Sequence, residues 1–268
     1  MTAPSTATFA DLLETAVTEP GILSQAYQQF HNYSLGNQLL AWGQCLERGI
    51  QPGPMATYPK WKELGRHVCK GAKAITLCQR VPVKRKGDAG NQTDDGNDLG
   101  EVFTRFIYKP RWFVLAQTEG QDIEPAPMPA WDRTRALATL EVIEVPFDMT
   151  DGNVLGFARA RSIAISPINP MPHKTTFHEL AHVLLGHTAE GVQADGEHTP
   201  RNLRECEAEA VALLCCAALG LPGVEQSRGY IQLWWGQGNP IPERSAQRVL
   251  KAADQILKAG TVDREVAA

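Results

Sequence analysis

The stretch His178-Glu179-Leu180-Ala181-His182, followed by the apolar run Val183-Leu184-Leu185, decides how the C-terminal half of the chain folds and what it can bind. On a helix, residues i and i+4 lie one above the other, so both imidazoles face the same way. Two neutral imidazoles on one face make half of a tetrahedral zinc site, and Glu179 beside them is placed to act as general base on a water at the metal. The competing reading is a buried helix with two ordinary histidines and a capping box, Thr176-x-x-Glu179. The flanks favour the metal. Asn169-Pro170 and Met171-Pro172 offer a cap and an early proline, and Gly186 offers a stop. Phe177, Leu180, Ala181, Leu184 and Leu185 form an apolar stripe, so the helix is buried while still carrying two histidines and a carboxylate.

A zinc enzyme of this kind needs a third protein ligand and an open position. The next strong helix reads Arg204-Glu205-Cys206-Glu207-Ala208-Glu209-Ala210-Val211-Ala212-Leu213-Leu214. Glu205 and Glu209 are i, i+4 and share a face. A solvated acidic first turn, favoured by the helix dipole, accounts for Glu205 and Glu207 but not for Glu209, which lies deeper in the apolar run. Glu205 is therefore the expected third ligand, with Glu209 one turn on, orienting a ligating histidine from behind. The H-E-x-x-H-x-x-G-x-x-H pattern fails, because Gly186 and His187 are out of its register. His173, His187 and His198 are weaker ligand candidates, each read first as a surface histidine.

The chain has 268 residues and a net charge of −4, enough length for one large or two modest domains and no decisive charge signal. It shows no charged-then-apolar leader and no apolar run long enough to span a bilayer, so a soluble, cytoplasmic protein with no membrane partner is expected. Six cysteines (Cys45, Cys69, Cys78, Cys206, Cys215, Cys216) form no C-x-x-C pair and read as reduced core residues.

In the N-terminal half, Thr8 caps a short helix through Leu12, Leu13 and Ala16, ended by Pro20-Gly21. A second helix covers Ile22 to about Phe30. A third begins near Ser34, with Leu35, Leu39, Trp42 and Leu46 at helical spacing. Tyr58 to Arg66 reads as a short helix and turn. Strand patterns cover 74–78, 102–108 and 112–116, and the Gly-, Asp- and Asn-rich run from Lys84 to Glu101 reads as a loop between the first two. From Lys60 to Lys86 the charge is one-sided: Lys60, Lys62, Arg66, Lys70, Lys73, Arg80, Lys84, Arg85 and Lys86 face only Glu63. Basic groups tracking a backbone, with aromatics on which bases stack, are what single-stranded nucleic acid needs. Tyr33, Trp42, Tyr58, Trp61 and Trp112 are near enough in sequence to serve. The alternative is a solvated basic face over an aromatic core.

Three motifs here resemble a known family. Tyr33-Ser34-Leu35-Gly36-Asn37-Gln38-Leu39-Leu40, then Trp61-Lys62-Glu63-Leu64-Gly65-Arg66-x-Val68-x-Lys70-Gly71, then Phe113-Val114-Leu115-Ala116-Gln117-Thr118-Glu119-Gly120 look like the N-terminal domain of ArdC-type antirestriction proteins. That domain also stands at the front of TraC-type plasmid primases. The resemblance implies an α/β single-stranded-DNA-binding domain over residues 1–122. Expected contacts are Lys60, Lys62, Arg66 and Lys70 through charge, Tyr33 and Trp61 through stacking, and Asn37 through a hydrogen bond. Arg66 departs from the pattern, which has a second glycine there, and is expected to add charge.

Gln121 to Trp131, with Pro125, Pro127 and Pro129, reads as a linker, placed at 123–135. Strand signals at 142–145, 155–160 and 162–166 run up to the H-E-x-x-H helix, and helices follow at 230–235 and 242–259. Residues 136–268 resemble the ArdC C-terminal domain and, more distantly, the ImmA/IrrE metallopeptidases, in which a glutamate supplies the third ligand and a polar residue four positions later supports the site. The expected fold is thus α+β: a single-stranded-DNA-binding domain, then a zincin-like domain. In that architecture the strand before the active-site helix is the sheet edge and takes an extended peptide by strand addition. The resemblance implies an antirestriction protein that protects incoming plasmid or phage DNA. The alternative is a regulatory metallopeptidase that cuts a specific repressor or restriction component, with DNA binding as targeting. The intact Glu179 argues against a purely structural metal, because a structural site needs no base.

Overall fold

The computed structural model describes residues 7–84, 102–124, 128–188, 200–236 and 239–262 and has an α+β architecture. It divides into two compact units, one formed by Met1–Trp42 with Ile123–Ala268 and the other by Gly43–Asp122. The units part between Asp122 and Ile123, and the first two helices pack with the C-terminal half rather than with the 43–122 unit.

Helix α1 (Phe9–Thr18) starts as its sequence indicates: Thr8 Oγ1 accepts from the Asp11 N–H, and the Asp11 carboxylate accepts from the Thr8 N–H. Helix α2 (Ile22–Phe30) follows, and α3 (Leu35–Glu47) crosses the boundary between units. Leu12, Leu13, Val17, Leu23 and Tyr27 join the same apolar core as the C-terminal helices.

The 43–122 unit holds β1 (Met55–Thr57), α4 (Tyr58–Glu63), β2 (Arg66–Val68), β3 (Ile75–Lys84), β4 (Val102–Val114), a 3₁₀ turn at Leu115–Gln117, and β5 (Thr118–Gly120). The first sheet has the order β1-β4-β3, and β2 pairs with β5. The two strands expected at 102–108 and 112–116 are one. The register passes from Ile75↔Trp112 to Thr76↔Pro110, so Arg111 is a bulge that lets the strand run past Pro110 without a ladder bond. Residues 85–101 of the expected loop lie outside the described residues.

In the other unit, β6 (Ala130–Trp131) and α5 (Arg133–Thr139) occupy the stretch read as linker. The Trp131 ring meets Phe177 edge-on at 5.0 Å, so this segment is tied into the core and does not run free. Pro125 and Pro127 lie outside the described residues. Next come β7 (Ile143–Glu144), β8 (Gly156–Arg159) and β9 (Ser162–Ile165), then α6 (Pro172–Leu184), α7 (Arg201–Leu219), α8 (Val224–Gly236), α9 (Glu243–Gly260) and β10 (Thr261–Val262), which pairs with β6. Helix α7 is apolar all round from Ala208 to Ala218, apart from Glu209, and such a helix must be covered on every side. Helices α2, α6, α8 and α9 provide that cover, which is why the N-terminal helices belong to this unit. No helix among the described residues is long and apolar enough to cross a membrane. The cysteines are free thiols, with Cys45, Cys206, Cys215 and Cys216 buried.

The small sheet corrects one expectation. Its order is β7-β9-β8, with β7 parallel and β8 antiparallel to β9. The strand before α6 is therefore central, with both its ladders occupied, and β8 lies at the edge.

Candidate metal centre

Helix α6 begins at Pro172, whose missing N–H is no loss in a first turn. Asn169 anchors the approach. Its Oδ1 accepts from the Met171 N–H at 2.8 Å, and its Nδ2 donates to Thr175 Oγ1 at 2.8 Å and to the Leu155 carbonyl at 3.1 Å. Thr176 is in mid-helix and donates to the Pro172 carbonyl, so the capping-box reading of Thr176-x-x-Glu179 fails.

The i, i+4 spacing brings His178 Nε2 to 3.1 Å from His182 Nε2. From α7, Glu205 Oε2 lies 3.4 Å from His178 Nε2 and 3.6 Å from His182 Nε2. Four ligand atoms at zinc bonding distance in tetrahedral array are about 3.3 Å apart. The three side chains thus present one face of such a tetrahedron, and they are the cluster among the described residues suited to holding an ion. Each protein group responds to its neighbours. Burial opposes charge on His178, but the carboxylates of Glu205 and Glu209 raise its pKa to about 9. The contacts of Glu205 with His178 and then His182 hold its carboxyl far below the ordinary range.

Glu179 is buried between α6 and β8. A Cβ built on Gly156 would lie 3.3 Å from Glu179 Cγ, 2.6 Å from Thr175 Cγ2 and 3.1 Å from the Ala164 carbonyl oxygen, so only glycine lets the strand come this close. Burial raises the Glu179 pKa, against the lowering pull of His178 and His182. A carboxyl so tuned is suited to take and return a proton.

Behind His178, Glu209 Oε1 is 3.4 Å from His178 Nδ1, an electrostatic contact whose geometry falls short of a hydrogen bond. Glu209 uses its better geometry elsewhere: it accepts from Lys174 Nζ at 2.9 Å and from Ser227 Oγ at 2.6 Å. Burial disfavours its charge, yet His178, Lys174 and Ser227 together bring its pKa down to about 2.

Two residues read as solvated are not. His187 and Glu207 have side chains 1% and 0% exposed. His187 Nδ1 is 3.0 Å from His182 Nδ1, and His187 Nε2 is 2.9 Å from Glu207 Oε2. Burial lowers the His187 pKa. Sequence pattern missed this pair because Glu207 is rotated by roughly 200° from both Glu205 and Glu209 on the helix, onto a face whose burial only tertiary packing defines. His173 is exposed, as expected, and His198 lies outside the described residues.

The expected DNA contacts separate into three groups. Lys60, Lys62 and Lys70 are exposed, with Lys60 2.9 Å from Glu63. Tyr33 and Asn37, in the other unit, are half-buried. Trp61 and Arg66 are interior. The Trp61 ring is 2% exposed and its Nε1 donates to the Phe113 carbonyl at 2.8 Å, leaving no open ring face for a base. Arg66 is 8% exposed and donates to Thr118 Oγ1 at 2.8 Å, to the Thr118 carbonyl at 2.9 Å and to the Gln121 carbonyl. It holds the β2–β5 ladder together and adds no surface charge. Exposed cations stand instead on the β3–β4 ribbon: Arg80, Arg105 and Arg111, with the Arg80 guanidinium 5.5 Å from the centre of the exposed Phe106 ring.

Fold and site together define a two-unit α+β protein in which two histidines and one glutamate are grouped closely enough to hold an ion. Residues 14–108 match the family model for the N-terminal domain of anti-restriction factor ArdC. Crystal structures of the antirestriction ArdC protein from plasmid R388, one metal-free and one Mn(II)-bound, share the fold with a TM-score of 0.53 each. They are 20% and 19% identical to this sequence, and each alignment covers 94% of this chain and 97% of that one. The chain thus resembles the ArdC N-terminal domain over residues 14–108 and shares the ArdC fold over most of its length. No curated protein matches it.

Proposed function

We propose that this chain is an antirestriction protein that binds single-stranded DNA and carries a divalent-metal centre of the zincin peptidase type, protecting incoming plasmid or phage DNA from host restriction. The observation that carries the metal reading is the convergence of His178 Nε2, His182 Nε2 and Glu205 Oε2 at 3.1–3.6 Å beside a buried Glu179. Two imidazoles and one carboxylate suit zinc, and they suit equally the Mn(II) held by the R388 protein. A bound ion would supply Lewis acidity toward a carbonyl and acidify a water. Glu179 would accept that water's proton and pass it to the leaving amine. Glu209 would steady the His178 ring through its Nδ1 side.

For DNA, support comes from the ArdC N-terminal domain match and from exposed cations. Lys60, Lys62 and Lys70, with Arg80, Arg105 and Arg111 of the ribbon, offer charge to a phosphate backbone, and Phe106 offers an accessible ring. The experiment is transfer of unmodified plasmid into a restricting recipient that expresses the chain. Transfer should rise over a recipient lacking it and should not rise in a restriction-deficient host. Equal transfer with and without the chain defeats the proposal.

A second reading, a regulatory metallopeptidase that cuts a repressor or restriction component, draws on β8, the edge strand of this sheet among the described residues, next to Glu179 at Gly156. A Glu179→Gln trap should retain such a protein without cleaving it, and the parent should cleave it.

A further inference from the structure

We propose that His187 and Glu207 are positioning residues that fix the ring orientation and tautomer of His182; the inference rests on the metal reading of His182. Helix α6 ends in a Schellman motif. Gly186 adopts φ +74° and its N–H donates to the Val183 carbonyl at 3.2 Å, while the His187 N–H reaches back to the His182 carbonyl at 2.8 Å. That motif brings the residue after the glycine beside the residue at the head of the last turn. Here both are histidines, and the contact that is often apolar is a hydrogen bond between Nδ1 atoms 3.0 Å apart.

The donor pattern has one solution consistent with a ligating Nε2. A His182 whose Nε2 is free to bind an ion carries its proton on Nδ1 and donates it. His187 Nδ1 must then accept, so the His187 proton is on Nε2, where it donates to Glu207 Oε2 at 2.9 Å. The chain of hydrogen bonds ends on a fully buried carboxylate whose other oxygen lacks a hydrogen-bond partner and has the Arg248 guanidinium 4.0 Å away. A carboxylate placed inside an apolar helix bundle costs stability unless it is paired. A role in holding a ligand explains its presence where packing alone would favour an apolar residue. The two ligating histidines are thus backed differently, His178 by Glu209 and His182 by a histidine that is itself held by Glu207.

The test uses the full chain with Co(II) as the probe. The folded parent should bind Co(II) through the centre, and imidazole ¹⁵N–¹H spectra of the loaded protein should show His187 protonated at Nε2 and His182 at Nδ1. His187→Phe keeps the volume and removes both hydrogen bonds; its Co(II) affinity should fall roughly 10- to 100-fold, with a changed Co(II) visible spectrum. Glu207→Gln keeps an acceptor for the His187 Nε2–H and should fall between the parent and His187→Phe. A folded His187→Phe or Glu207→Leu protein with parental affinity and spectrum would overturn the inference, as would a His187 proton on Nδ1. Should His187→Phe fail to fold, the parental tautomers and Glu207→Gln decide. A parent that binds no Co(II) overturns the metal centre itself, and this inference with it, a result distinct from unaffected variants.

Discussion

Lys174 Nζ and Glu209 Oε1 form a 2.9 Å ion pair between α6 and α7, and the same oxygen is the one nearest His178 Nδ1. The other Glu209 oxygen accepts from Ser227. Both oxygens are therefore engaged on the Nδ1 side of His178, while Glu205 Oε2 faces both Nε2 atoms. Elemental analysis should find that His178→Ala, His182→Ala and Glu205→Ala each lose stoichiometric metal. Glu209→Ala should keep it at saturating metal, with affinity roughly 10- to 100-fold weaker. Full metal in Glu205→Ala and none in Glu209→Ala would reverse the assignment.

What the sequence disclosed follows from which relations are local. His178, Glu179 and His182 share one helix, so spacing alone fixes their relative directions, and the i, i+4 relation of Glu205 and Glu209 gave both a face. Which face of α7 meets which neighbour is a tertiary fact, so Glu207 looked solvated and His187 looked peripheral. The same gap explains Trp61 and Arg66. A basic, aromatic run reads alike whether its side chains point outward or hold β2 to β5. The apolar faces of α1 and α2 were legible too, but nothing local says that they cover α7 and α9. The central position of β9 depends on the short parallel pairing with β7, a non-local ladder that spacing does not reveal.

The raised pKa of His178 sets a sign. It stands at about 9 against an ordinary 6.5, so the folded, metal-free protein holds this proton more tightly than the unfolded chain does. That stabilisation is complete below about pH 6.5 and is lost as pH rises toward 9. A metal ion must displace the same proton. Calorimetric titration in two buffers of different ionisation enthalpy should show net proton release on metal binding near pH 7, shrinking by about pH 9. Absence of proton release near pH 7 would show that His178 is already neutral there.

Surface and interior residues of the 43–122 unit should part in their effects on DNA. Charge reversal at Lys60, Lys62 and Lys70 together should weaken single-strand binding and flatten its salt dependence by about 0.7 in log–log slope for each phosphate no longer neutralised. Thermal stability should hold, because all three are exposed. Trp61→Ala should instead cost about 3–5 kcal/mol of stability, and Arg66→Met should lower Tm by removing hydrogen bonds to Thr118 and Gln121. A folded, parentally stable Trp61→Ala with lost DNA binding would contradict the buried placement of that ring.

Gly156 tests how closely β8 must lie on α6. An added methyl group would stand 2.6 Å from Thr175 Cγ2 and 3.1 Å from the Ala164 carbonyl, so strand or helix has to move. Gly156→Ala should cost about 1–3 kcal/mol. It should also disturb Glu179 more than the ligands, leaving metal content near parental while lowering any hydrolysis. Unchanged Tm and unchanged activity would show that the sheet yields freely.

Glu179 separates the two proposed activities. It lies outside the ligand triangle, so Glu179→Gln should keep the metal and the fold. Its carboxyl is the buried, upward-shifted one beside the cluster, and its loss should lower hydrolysis by roughly 10²–10⁴-fold. The proposed cationic surface lies in the 43–122 unit, whereas Glu179 belongs to the other, so single-strand affinity should not change. Protection of unmodified DNA during transfer into a restricting host then decides the mechanism. Parental protection by Glu179→Gln would make the DNA-binding surface sufficient and the peptidase chemistry dispensable for this role. Lost protection with retained single-strand affinity would make hydrolysis the mechanism and demote DNA binding to targeting. The expected outcome is the first, because exposed charge and the ArdC N-terminal match both support DNA binding, whereas proteolysis still needs a substrate that fits the β8 edge.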